Sequence, residues 1–566
     1  MNQLKYSKIL LSITSVKNLG RSRSFNPWLR VKRILIGSII SISVLGVPTS
    51  ANALVQGGVK SGDICKVEGE SVKEFLCFKE GKKLIFRKSV LVAGSSAEPS
   101  SLDPIFESNL ASVLVMNQMY DRLIRYTSSL AYEGQLAESY TIGEDSLSIT
   151  FKLKSNSRFH SGRLIAAKDV VYSFDRLRSA ESINKGLYSA IESITAIDKQ
   201  TVLFTLLTPT PNAVLSQLAV APSYIMDQTV VRSKGNLKRD DGGSGPFKME
   251  KWSSGSEIVL AGNREHFNSK NTKIARLVFK FIPDEISAVS ALRAGQINWY
   301  NFGDPSAAAQ LKNNPDLVYS SNPSLAYLYL SFNTTKAPYN NLDFRTGVSY
   351  ALNRDEILKL ALEGRGAVTG PIVPALKDLA IPNSSYPSYS TSKEKALALI
   401  AKGGGTGLSL TLHVNRSSAA QVAAAPVVVS QLGAVGITAR IVTVDSTTWF
   451  DVLSKQKYDL IFGQSGGAAN PDLQFFNSYT CTGSWNYAKI CDAAFDDQID
   501  IARAATGAAR KLTYQKLQIR VVNLMMPYAF ISTMDSLWGW SINVEGYTPL
   551  PIVADRRFDG VSIKSK

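Results

Sequence analysis

From residue 89 to the C-terminus, short apolar stretches alternate with helix-like runs, and no segment repeats another. Ser89-Val90-Leu91-Val92-Ala93 opens the series. Strands that alternate with helices bury both elements only when helices cover a sheet, so an α/β fold is expected. Helical patterning is clearest at 166–178, 284–294, 344–362 and 508–526. The last of these carries Tyr514, Leu517, Val521, Leu524 and Met525 at helical spacing, and Pro527 stops it. At 566 residues and 45% hydrophobic composition, the chain is too long for one small core, and several domains are expected.

The formal charge of +17 would suggest a nucleic-acid partner if it were spread over the chain. It is not: residues 1–53 hold eight Lys or Arg and no acid, leaving +9 for the remainder. Arg30, Lys32 and Arg33 precede an apolar run at 34–47, then Pro48 and the small-residue triplet Ala51-Asn52-Ala53. That order is a Sec-type signal peptide with cleavage after Ala53. The run has 14 residues, short of the roughly 20 that a membrane-spanning helix needs. An uncleaved anchor or a buried helix is the alternative, and a signal or an anchor alike implies export. No cysteine closes the run as a lipobox would require, so no lipid anchor is expected.

Export frames the four cysteines, which fall in two close pairs, Cys65 with Cys77 and Cys481 with Cys491. Disulfides are the favoured reading in an oxidising compartment, with free buried thiols as the alternative. Neither pair has the short spacing of a zinc knuckle, and His160, His266 and His413 are the only histidines, so no metal and no cofactor is expected. Residues 54–88 form a basic module in which Phe75-Leu76-Cys77-Phe78 and Lys83-Leu84-Ile85-Phe86 flank a turn-like Lys79-Glu80-Gly81-Lys82, a disulfide-tied hairpin. The segment 402–407, with four glycines, reads as a flexible surface loop; no phosphate-loop pattern follows it.

A series of short motifs points further: Leu102-Asp103-Pro104, Tyr120-Asp121-Arg122-Leu123, Leu136-Ala137-Glu138-Ser139, Phe159-His160-Ser161-Gly162 and Ala166-Ala167-Lys168-Asp169-Val170-Val171-Tyr172-Ser173. Gly245-Pro246-Phe247, Trp252, Ala291-Leu292-Arg293-Ala294-Gly295, Leu330-Ser331-Phe332-Asn333, the run from Arg345 to Arg354, and Pro371 and Pro374 continue it. In this order they resemble the family-5 extracellular solute-binding proteins, the oligopeptide- and dipeptide-binding components of ABC importers, over residues 89–566. The stretch 470–503 is most similar to the dipeptide-binding branch, including its paired cysteines.

The resemblance implies a two-lobed, periplasmic-binding-protein-like α/β fold of class II with a hinge crossed twice. It places lobe I at 89–325, lobe II at 326–532 and a return to lobe I at 533–566, after the signal peptide (1–53) and hairpin module (54–88). It further implies a monomer that encloses a peptide or small solute between its lobes and delivers it to a membrane permease with a cytoplasmic ATPase, with no nucleic acid and no covalent chemistry.

Resemblance also nominates site residues. Arg416 falls, within about one residue, where the family's carboxylate-binding Arg would lie. Gly467 occupies the position of the acid that binds a peptide ammonium, Gln464 that of an aromatic, and Asn470 that of an Asp before Pro. Ser465 lies in the same loop, and Asp472 is a nearby acid that could substitute, although a structural role capping the next helix is favoured. With three recognition positions changed together, a dipeptide with a free amine is put in doubt.

Two rival classes remain in view. Gly463-Gln464-Ser465-Gly466-Gly467 fits the G-x-S-x-G pattern of a hydrolase elbow, but Asn470-Pro471 follows too closely for a helix to begin at the Ser. No His lies downstream to complete the triad, so a Ser hydrolase is disfavoured. A cell-surface structural protein is the other alternative, as is a non-peptide solute such as an oligosaccharide, opine or metal chelate.

Overall fold

The computed structural model describes residues 58–106, 109–505 and 507–564. The N-terminal basic and apolar segment and the cleavage point after Ala53 lie outside them.

The apolar, β-branched stretch at Val90–Ser95 becomes a central strand because neighbours on both sides pair with it in parallel, Arg276–Phe281 and Trp299–Phe302. The full sheet has seven strands, in the order Phe247–Ser253, Glu257–Gly262, Arg276–Phe281, Val90–Ser95, Trp299–Phe302, Ser536–Ser541 and Leu317–Asn322. A four-stranded antiparallel sheet, with Ser148–Leu153 and Thr201–Leu206 at its centre, shares one core with it: Leu91, Leu277 and Trp299 belong to the same apolar cluster as Phe151 and Phe204. Together these make lobe I.

Lobe II is built on five strands in the order Thr438–Val444, Ser409–Asn415, Leu460–Ser465, Tyr327–Phe332 and Tyr528–Thr533. It has its own core, in which Leu330, Phe344, Leu412, Phe462 and Phe530 are buried. The chain leaves lobe I through residues 323–326 and returns through residues 534–535. At both crossings the flanking strands are partners: Asn322 lies opposite Ser536 in one sheet, and Tyr327 opposite Thr533 in the other. The crossings are also tied to each other, since the Ser324 hydroxyl donates to the Met534 carbonyl at 2.5 Å and the Met534 N–H to the Ala326 carbonyl at 3.0 Å.

Two helix expectations are corrected and one loop is refined. The helix read over 344–362 is two helices, Leu342–Ala351 and Arg354–Leu362, because Asn353 interrupts the first and caps the second, accepting from the Glu356 N–H. The run at 508–526 is α-helical over Gly507–Arg520 and widens into a π-turn at Val521–Met525, with Met526 at φ 41° before Pro527. The segment 402–407 is a surface turn as expected, with Lys402, Gly404, Thr406 and Gly407 exposed, but it is anchored rather than loose: Gly403 and Gly405 are buried, and a Cβ on either would lie 2.4–2.5 Å from Phe344.

Both disulfides are formed, Cys65–Cys77 and Cys481–Cys491. The first ties the segment before Ser71 to the hairpin of Phe75–Glu80 and Lys83–Lys88, whose turn is Gly81-Lys82. Among the described residues no helix is long and apolar enough to cross a membrane.

Candidate ligand-binding site

The strands Ser409–Asn415 and Leu460–Ser465 run parallel and end at the same edge of the lobe II sheet, which brings the loops after them together. Ligands of open α/β sheets gather at such carboxyl ends. Arg416 and Gln464 both lie there and both are exposed. The two loops are joined by the Ser418 hydroxyl, which donates to Gln464 Oε1 at 2.9 Å. The Arg416 backbone N–H donates to the Val444 carbonyl, while its guanidinium makes no ion pair or hydrogen bond among the described residues.

Ser465 closes its strand, and its hydroxyl accepts from the Gly467 N–H at 3.1 Å. A nucleophile elbow would need a helix to start at this Ser; the next one starts at Pro471. Gly467 is fixed by its surroundings, with φ 71° and the space for a Cβ 1.8 Å from the Leu325 carbonyl oxygen in the first crossing. No carboxylate side chain fits at this position without moving the hinge backbone.

Asn470 spans the lobes. Its Nδ2 donates to the Asn212 carbonyl of lobe I at 2.9 Å, while its Oδ1 accepts from the Arg510 guanidinium at 2.6 Å and from the Asp472 N–H at 3.1 Å, so that Asn470, and not Asp472, caps the Pro471–Tyr479 helix. Ala469 packs against both cores. Asp472 points inward and is completely buried in lobe II, ion-paired to Arg503 at 3.2 Å, with neither carboxylate oxygen hydrogen-bonded. Burial raises its pKa against the opposing pull of Arg503 and Arg510. The structure thus gathers Arg416, Gln464, Ser465 and Gly467 at one sheet edge, and gives Asn470 and Asp472 to a second, mainly structural cluster.

Sequence reasoning missed a cavity of about 400 Å³ between the lobes. Ala213, Val214 and Gln217 line it from lobe I; Phe476, Trp485 and Arg503 line it from lobe II. None of the six nominated residues faces it, although Asp472 holds Arg503 in place. The available signal is Trp485 and Arg503 within the 470–503 stretch, whose distance in sequence from Gln217 hides that they face it across the lobes.

The model of the bacterial extracellular solute-binding proteins, family 5 Middle, matches residues 131–487. The chain is 25% identical to the oligopeptide-binding protein AppA of Bacillus subtilis over 489 residues, 81% of this chain and 88% of that protein. It is 26% identical to the dipeptide-binding protein of Escherichia coli over 515 residues, 84% of this chain and 94% of that one. Among solved structures, AgaA from A. tumefaciens R10 in complex with agropinic acid superposes with a TM-score of 0.72 at 24% identity, covering 84% of this chain and 99% of AgaA. The chain belongs to the family-5 extracellular solute-binding proteins, and its fold is their two-lobed one.

Proposed function

We propose that this protein is the exported, monomeric solute-binding component of an ABC importer, capturing a peptide or peptide-like small solute between lobes 89–325 and 326–532 and passing it to the membrane permease. The observation that carries this reading is mechanical. Two lobes with separate cores meet at the adjacent crossing segments, around Asn470 and at a few peripheral contacts such as Ser306 with Glu363 and Arg365 over Tyr319, with a cavity at their junction. Such a frame can bend without unfolding either core, so a solute touching both lobes favours the closed state by its differential affinity. The relatives' names support a binding role over catalysis.

A non-peptide solute is the second reading, favoured by Gly467, whose packing on Leu325 leaves no room for an ammonium-binding carboxylate. The test is native mass spectrometry of the secreted protein, to identify what it carries, followed by small-angle scattering with and without that solute. Contraction on binding is expected; identical scattering curves at saturation would overturn the reading.

A further inference from the structure

The inter-lobe cavity has a polarity of its own. Gln217 lies in the last turn of the Pro211–Leu218 helix, is 4% exposed, and its side-chain NH2 finds no acceptor among the described residues. A buried amide donor without a partner is disfavoured unless something brings an acceptor to it. Across the cavity, Arg503 stacks on Phe476, its guanidinium carbon 4.0 Å from the ring centroid, with its side chain 11% exposed. Its ion pair to Asp472 lacks hydrogen-bond geometry, so the guanidinium retains donors to spare.

Asp472 faces Arg503 and Arg510 together, and Asp500, 3.7 Å from Arg503, is a solvated surface carboxylate with 73% of its side chain exposed. Among the described residues no Asp or Glu lines the cavity, and Arg503 is the one charged residue that does. Trp485 and Tyr487 complete a wall suited to a flat apolar group. An ammonium entering here would meet no carboxylate among the described lining residues; a carboxylate would meet the Arg503 guanidinium, only 11% exposed.

We infer that this cavity binds an apolar or aromatic carboxylate that carries no free amine, with its carboxylate on Arg503, a carbonyl oxygen on the Gln217 amide, and its ring against Phe476, Trp485 and Tyr487. The inference rests on the solute-capture reading and names the class of solute.

The experiment is calorimetric titration with three probes: N-acetyl-phenylalanine, its amide, and phenylalanine amide. The acid binds at least tenfold more tightly than its amide, and the cationic phenylalanine amide gives no heat. Gln217→Leu, close in shape, weakens the acid at least tenfold while raising the melting temperature of the free protein, because it removes the unpartnered donor. The paired change Arg503→Gln with Asp472→Asn, which leaves no lone buried charge, abolishes the preference of acid over amide. Equal binding of acid and amide, unchanged binding by Gln217→Leu, or no heat from any probe overturns the assignment. If the assignment falls and the solute carried by the secreted protein still contracts the lobes in scattering, solute capture stands and only this cavity's role is lost. If that contraction is also missing, both fall.

Discussion

The two lobes differ in how they neutralise their most deeply buried carboxylates. In lobe I, buried carboxylates meet guanidinium groups directly. Asp555 is held between Arg122 at 3.0 Å and Arg557 at 2.6 Å, Asp169 and Asp227 share Arg163 at 2.8 Å, and Asp103 pairs with Arg176 at 2.9 Å. Lobe II buries two arginines on backbone carbonyls, much as lobe I holds the partly buried Arg264. Arg345 donates to the Tyr339, Met525 and Met526 carbonyls, and Arg354 to the Phe530 and Ser349 carbonyls. Burial with no facing carboxylate lowers the Arg345 pKa to about 10 and lowers that of Arg354 as well. Asp472, the fully buried acid of lobe II, has its pKa raised, whereas Asp555 is held well below the ordinary range because Arg122 and Arg557 outweigh its desolvation. The ion pairs that need ionised acids are therefore more deeply buried in lobe I than in lobe II, where Asp459 with Lys336 and Asp492 with Arg520 lie nearer the surface and also have lowered pKa values.

Acid is the broadest way to test that difference. Asp121, Asp227, Asp241 and Asp555 all have lowered pKa values in the fold. Their contribution is complete above the ordinary carboxylate range and is lost as pH falls through their folded values. Asp472 acts in the other direction, since protonating it relieves a buried charge. Hydrogen exchange between pH 5 and pH 2.5, corrected for intrinsic rates, should show lobe I losing protection first, by more than any single substitution causes. Simultaneous loss in both lobes would erase the contrast.

Next in size is Asp555→Ala, which strands Arg122 and Arg557 and should cost about 3–5 kcal/mol in urea unfolding. Protection should fall in the seven-stranded sheet and hold in the five-stranded one. Gly467→Ala tests the seam between the lobes: left-handed φ and collision with Leu325 together should cost about 2–4 kcal/mol. The scattering profile of the free protein should shift with it, because the first crossing must yield. The smallest effect is expected from Asp472→Asn, within about 1 kcal/mol at pH 7, since removing a strained carboxylate offsets the lost attraction to Arg503. A loss as large as that of Asp555→Ala would make the lobes alike after all.

The motifs that made the family legible turn out to be ties within the fold. Asp103 holds Arg176 and the Leu237 N–H; Arg122 holds Asp555; His160 bonds Asp241 at 2.7 Å; and Arg345 and Arg354 pin the strand returning from lobe II. Strand alternation and these residues carry the architecture because they act through local chemistry or fixed partners. The helix over 344–362 was misread because its apolar spacing runs through Asn353, and only a capping geometry distinguishes a break from a continuation. The site was less legible. Arg416, Gln464 and Ser465 gather at one sheet edge, but Asp472 turned inward, and Gln217 carries no sequence signal, since its isolation depends on what lies opposite it across the lobes.

The two crossings have a mechanical consequence. Because Leu317–Asn322 pairs with Ser536–Ser541 on one side and Tyr327–Phe332 pairs with Tyr528–Thr533 on the other, they form a two-stranded ribbon threading both sheets. A single strand could swivel freely, whereas two strands bonded side by side resist sliding past each other and yield mainly by flexing across their width. The lobes then meet along nearly the same path each time, like covers on a bound spine. On the proposed solute-capture reading, what reaches the permease is an angle, and a solute that props the covers open by a few degrees fails to set it.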